Sequence, residues 1–120
     1  MALQHSVVAL IDDNLAFSAA MEAVLTGHGY QIELYDSAGA FLSAAPASKA
    51  SCLIIDIQLG ETCGIALARQ LAAKGFTSHV IFVTGSDDAY IEKKALDVGC
   101  VAFLRKPFAP SVLMAALSKP

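Results

Sequence analysis

The chain has 120 residues, which suits one domain spanning 1–120. Its 56% hydrophobic content allows a well-filled core, and its apolar stretches fall far short of a membrane span. A net charge of −3 excludes a general pull toward nucleic acid or anionic lipid. No charged segment followed by an apolar one opens the chain, so a cytoplasmic location is expected. The three cysteines (Cys52, Cys63 and Cys100) form no CxxC pair and have no histidine at ligand spacing. They are expected to be small buried apolar residues in a reducing compartment.

Five strand-like segments alternate with five helix-like ones. The first strand runs from Ser6 to Ile11, and a helix follows from about Asn14 to Thr26, with Phe17, Met21, Val24 and Leu25 on one face. Gly27 and Gly29 bracket its end. The second strand, Gln31 to Tyr35, alternates polar and apolar with Ile32 and Leu34 on one side, a pattern suited to an edge. Ser37 caps a short helix that Pro46 ends. The third strand is Ser51 to Ile55. A loop with Gly60 and Gly64 leads into a helix that ends near Lys74 and faces Ile65, Ala68, Leu71 and Ala72 inward. The fourth strand is Val80 to Val83. Asp87 or Asp88 caps the next helix, and Gly99 ends it. The fifth strand is Val101 to Leu104, and a last helix after Pro110 carries Val112, Leu113, Ala116 and Leu117.

Strict alternation of this kind predicts an α/β three-layer sandwich: a five-stranded parallel sheet with helices on both faces. Right-handed crossovers and the half-polar second strand favour the flavodoxin-like order 2-1-3-4-5. That order creates a switch point between the first and third strands, where ligands collect. Asp12 and Asp13 close the first apolar run, and Asp56 closes the third, so three carboxylates are expected at that edge. Grouped acids repel unless a cation sits among them or protons are taken up. Thr84 and Lys106 end two further strands on the same side. Magnesium prefers carboxylate and water oxygens, often with a phosphate, and a lysine pairs with phosphoryl oxygens. Together these groups form a parts list for phosphoryl transfer.

The stretches VALIDDN, LIIDIQLGETCG, VIFVTG and AFLRKPF, in this order and spacing, span nearly the whole chain. They resemble the response-regulator receiver domain of bacterial two-component signalling, with its CheY-like fold. The run YDSAGAFL and the FLRKPF ending are most similar to receivers that carry helix-turn-helix outputs of the FixJ type. The resemblance implies that Asp56 accepts a phosphoryl group from the phosphohistidine of a sensor histidine kinase. It implies Mg2+ held by Asp13, Asp56 and the backbone carbonyl of Gln58, with Asp12 helping directly or through water. Lys106 would pair with the phosphoryl group, Thr84 would move toward it, and Phe103 would occupy the aromatic switch position. The Lys106–Pro107 bond would be cis. A C-terminal DNA-binding output outside this chain and a phosphorylation-dependent homodimer are further implications, without nucleic-acid or membrane binding by the domain itself. The domain would be a switch rather than an enzyme. One departure stands out: Leu59-Gly60 replaces the family's usual Met-Pro pair, which is expected to loosen the loop.

Each residue also has a plainer reading. Asp13 could cap the first helix, Thr84 could bond backbone at a strand end, Lys106 could be a surface cation and Phe103 plain core. His5, His28 and His79 are given no role, and Glu92-Lys93-Lys94 reads as a solvated helix face. Competing functions are a flavodoxin-like cofactor binder, a haloacid-dehalogenase-type phosphatase and a phosphorylation-independent receiver-like interaction module. The first lacks a hydroxyl- and glycine-rich loop after the first strand, and the second lacks an acid at Gln58.

Overall fold

The computed structural model describes residues 7–119. His5 and the expected strand start at Ser6 lie outside the described residues. In chain order the elements are β1 (Val7–Ile11), α1 (Leu15–Gly27), β2 (Gln31–Tyr35), α2 (Ala38–Ala44), a 3-10 turn (Ala45–Ala47), β3 (Cys52–Asp56), β4 (Gln58–Leu59), β5 (Thr62–Cys63), α3 (Gly64–Ala73), β6 (His79–Thr84), α4 (Ala89–Val98), β7 (Ala102–Arg105) and α5 (Pro110–Leu117). The main sheet runs β2-β1-β3-β6-β7, all parallel. With the small β4–β5 hairpin set aside, this is the expected flavodoxin-like order, and the half-polar β2 is an edge.

Alternation along the central strands divides the core in two. Val8 and Leu10 of β1, Cys52 and Ile54 of β3, and Ile81 and Val83 of β6 pack with Met21 and Leu25 of α1 and Leu113, Ala116 and Leu117 of α5. Ala9, Ile11, Leu53, Ile55 and Phe82 face the other way, onto Phe41 of α2, Ile65 and Leu71 of α3 and Ala95 of α4. Strands buried on both faces must be apolar throughout, which is why β1 and β3 read as unbroken hydrophobic runs.

The helix starts follow local chemistry. Asn14 accepts the Phe17 N–H at 3.0 Å, Ser37 the Ala40 N–H at 3.0 Å, and Asp88, rather than Asp87, the Tyr90 N–H at 2.9 Å. Pro46 does not stop the chain's coiling abruptly but sits inside the 3-10 turn that extends α2.

Ala72, expected to face inward, faces solvent instead, as does Val112 of the last helix. The reason is that α3 and α5 each offer the sheet a narrow stripe; Leu67 takes a buried place on α3. Leu34 is also exposed, as an edge strand leaves room for one apolar side chain outside the core. Cys52 is buried and Cys100 partly so, but Cys63 is exposed on β5, in a hairpin the expected loop did not include. Burial pushes the Cys52 thiol up to about 12, so it is an inert packing group.

Candidate functional site

Sheet register brings the chemistry-bearing residues to one edge. Ile11 lies opposite Ile55, so Asp12 and Asp56 leave their strands side by side; Asp56 lies opposite Val83, and Thr84 opposite Arg105, placing Thr84 and Lys106 next to follow. No pair among Asp12, Asp56, Thr84 and Lys106 is close in sequence. Only the parallel sheet unites them.

Asp12 is fully buried, Asp56 nearly so, and Asp13 exposed. Oxygens of all three carboxylates lie within 4.8 Å of one another. Asn14, not Asp13, caps α1, so Asp13 has no structural duty at the helix start. The Asn14 N–H donates to Asp12 Oδ1 at 2.8 Å and the Gln58 N–H to Asp56 Oδ1 at 3.0 Å, fixing both carboxyl planes. Lys106 Nζ bridges Asp12 Oδ2 at 2.7 Å and Asp56 Oδ2 at 3.3 Å. Lys106 is therefore no surface cation. Its peptide bond to Pro107 is cis.

Burial raises the pKa of the Asp56 carboxyl. The Gln58 N–H opposes that rise, nearby Asp12 adds to it, and Lys106 again opposes it, but the balance stays above the usual carboxylate value. Three ionised acids and one ammonium leave a local charge of about −2, which a divalent cation would balance. The donor set fits: these are hard oxygen ligands, and oxygens around one Mg2+ lie roughly 3–4 Å apart. Asp12, Asp13 and Asp56 are the residues that could hold it.

Thr84 is fully buried, and its Oγ1 accepts the Ser86 N–H at 3.1 Å, so the plain reading of a strand-end hydroxyl bonded to backbone holds alongside its place at the site. Phe103 is half-buried against the α3–α4 side of the core, with the Arg105 guanidinium 6.0 Å from its ring centroid. Glu92 pairs with Arg105 at 3.0 Å on the surface, which makes the Glu92-Lys93-Lys94 cluster partly a cross-element contact.

The segment after Asp56 is paired. β4 and β5 form a two-stranded hairpin with Gln58 opposite Cys63 and Leu59 opposite Thr62, and Leu59 is buried. Gly60 turns it at φ +59°, a value proline's ring forbids. The Leu59-Gly60 departure thus goes with a hairpin turn that proline could not occupy at position 60. Gly60 approaches the site, since a Cβ there would lie 3.9 Å from Asp13 Oδ2. At Gly64 a Cβ would collide with the Asp56 carbonyl oxygen and come within 2.8 Å of Ile55 and 2.9 Å of Ile57.

Sequence reasoning placed Phe17 only on a core face of α1. In the structure its ring lies under the Lys106 ammonium, 3.9 Å from centroid to Nζ. The available signal was an aromatic four residues after Asp13, on the first turn of the helix that leaves the site.

The sequence profile of the response regulator receiver domain matches residues 8–118. Response regulator protein TodT of Pseudomonas putida is 32% identical over 117 residues, covering 98% of this chain and 52% of TodT. Transcriptional regulatory protein FixJ of Bradyrhizobium diazoefficiens is 31% identical over 108 residues, covering 90% of this chain and 53% of FixJ. The crystal structure of full-length FixJ from B. japonicum superposes with a TM-score of 0.88 at 29% identity, covering 94% of this chain and 56% of that one. The chain spans about half the length of the curated relatives it matches.

Proposed function

The chain belongs to the response regulator receiver domain family, and from that membership we propose that residues 1–120 form a phosphoacceptor switch with Asp56 as the acceptor. The observation that carries this reading is Lys106 held at 2.7 Å from Asp12 and 3.3 Å from Asp56 beside a third carboxylate, Asp13. An ionised Asp56 oxygen attacks the phosphorus of a phosphohistidine on a sensor kinase. A P–O bond forms, the P–N bond breaks, and the electron pair of that bond stays on the nitrogen, so neutral imidazole leaves from a phosphohistidine already protonated on its other ring nitrogen. Lys106 shifts its hydrogen bonds from the carboxylates to the phosphoryl oxygens. The Gln58 N–H keeps the Asp56 carboxyl plane oriented during the attack. Asp13, Asp56 and the Gln58 carbonyl, with help from Asp12, would hold magnesium, which would supply positive charge against the phosphoryl oxygens.

Thr84 then exchanges its bond from the Ser86 N–H for one to the phosphoryl group, and Phe103 turns into the space it leaves. The readout surface is formed by α4, β7 and α5, where Tyr90, Leu96 and Val112 already stand exposed. Such a surface suits a partner, a second copy or an output domain joined to the chain, in keeping with relatives named as transcriptional regulators. No helix among the described residues is long and apolar enough to cross a membrane, and we place the domain's work in the cytoplasm.

The test is labelling by acetyl phosphate with magnesium. Wild-type protein should gain one base- and hydroxylamine-labile phosphoryl group, and Asp56→Asn should gain none. Full, persistent labelling of the variant would transfer the acceptor role elsewhere. A magnesium and beryllium fluoride titration followed by NMR should move resonances around Asp56, Thr84 and Phe103.

A further inference from the structure

We propose that Phe17 is a positioning residue for Lys106, its ring face holding the ammonium at the mouth of the acid cluster. The inference rests on the reading of Asp56 as phosphoacceptor.

A lysine ammonium has three N–H donors on a flexible stem. Asp12 and Asp56 occupy two directions. The Phe17 ring, 3.9 Å from Nζ, covers a further side. Phe17 is itself fixed at both ends. Its backbone N–H is spent on the Asn14 cap at 3.0 Å, and its ring meets Phe108 edge-on, with centroids 6.1 Å apart and planes at 78°. Phe108 lies two residues beyond Lys106, so the aromatic pair joins the start of α1 to the very segment that carries the lysine.

The ring face attracts a cation through its quadrupole but offers no lone pair to compete for a hydrogen bond. The ammonium is therefore kept near the acids while remaining free to hand its N–H groups to an arriving phosphoryl oxygen. A polar side chain in the same place would hold the ammonium by a bond that must be broken first. A purely structural Phe17 would fill volume against the core on its side of the sheet and leave Lys106 indifferent to its replacement by another apolar residue.

Phe17→Leu keeps apolar bulk and removes the ring; Phe17→Tyr restores it. Initial rates of acetyl phosphate labelling at saturating magnesium should fall about fivefold in Phe17→Leu and recover in Phe17→Tyr. In the unlabelled wild type, the Lys106 side-chain protons should carry an upfield ring-current shift in NMR that disappears in Phe17→Leu and persists in Phe17→Tyr. An unshifted Lys106 in the wild type, which requires no variant to fold, overturns the proposal. So does a Phe17→Leu rate equal to wild type, or a Phe17→Tyr rate as low as that of Phe17→Leu. A wild-type protein that takes no label at all overturns the phosphoacceptor reading instead, and that result is in hand before any Phe17 variant is compared.

Discussion

The acceptor role proposed for Asp56 needs an ionised carboxylate, and burial works against that ionisation. The folded-state pKa of Asp56 is raised, chiefly by burial, relative to an unfolded value of about 3.9. The folded protein therefore holds this proton more tightly than the unfolded chain. Stability linked to Asp56 is greatest below the unfolded pKa and is lost as pH rises through the folded one. Asparagine cannot ionise and escapes that loss. In chelator-treated buffer, Asp56→Asn should melt higher than wild type at pH 7, and the gain should shrink as pH falls toward about 4. A variant that melts at or below the wild-type temperature across this range contradicts the electrostatic reading. On the proposed reading, the acid site is a place where the fold gives up stability to keep Asp56 poised.

At the scale of elements, the junction of β3 with α3 leaves no room for a side chain at Gly64. The Gly64 N–H donates to the Ile57 carbonyl at 2.7 Å, and the helix start presses on the backbone of Asp56. Any side chain at 64 must push that backbone aside. Gly64→Ala should cost about 1–3 kcal/mol by overpacking, which corresponds to a melting decrease of several degrees for a domain of this size. Because the displaced carbonyl belongs to Asp56, acetyl phosphate labelling should slow as well. Unchanged melting and labelling together would show that the helix can move away freely. The β4–β5 hairpin is the neighbouring device: with Gly60 at φ +59° and Leu59 buried, it sets the loop beside Asp13 by pairing and turn geometry rather than by proline's ring.

For the whole molecule, a cation held by the acid cluster couples local chemistry to global stability. The acids come from the turn after β1 and from the end of β3, so an ion bound among them binds only the folded chain. Magnesium at a hundred times its dissociation constant should stabilise the protein by about 2.7 kcal/mol, seen as a rise in melting temperature. Asp13→Asn should abolish most of that rise while leaving the metal-free melting temperature nearly unchanged, since Asp13 is exposed and caps nothing. An equal magnesium response in the variant would place the ion elsewhere. On the proposed reading, a change at Asp56 reaches α4, β7 and α5 through Thr84, which ends β6 beside β3, and Phe103, which lies on β7 beside β6.

Much of this protein was legible along the chain. Apolar runs ending in Asp12 and Asp56 determined the buried central strands and put acids at their ends, because a strand buried on both faces admits no polar residue until it emerges. The half-polar pattern of Gln31–Tyr35 determined the edge, and side-chain oxygens at Asn14, Ser37 and Asp88 determined helix starts, because capping is a local bond. What depended on through-space geometry stayed hidden. Neither the exposure of Cys63, Ala72 and Val112 nor the Gly60 turn follows from composition, since each depends on how closely one element packs on another. The aromatic face beneath Lys106 was decided by tertiary structure alone: Phe17 and Lys106 are far apart along the chain, and only the packing of the start of α1 against the Lys106–Phe108 segment sets ring and ammonium in contact.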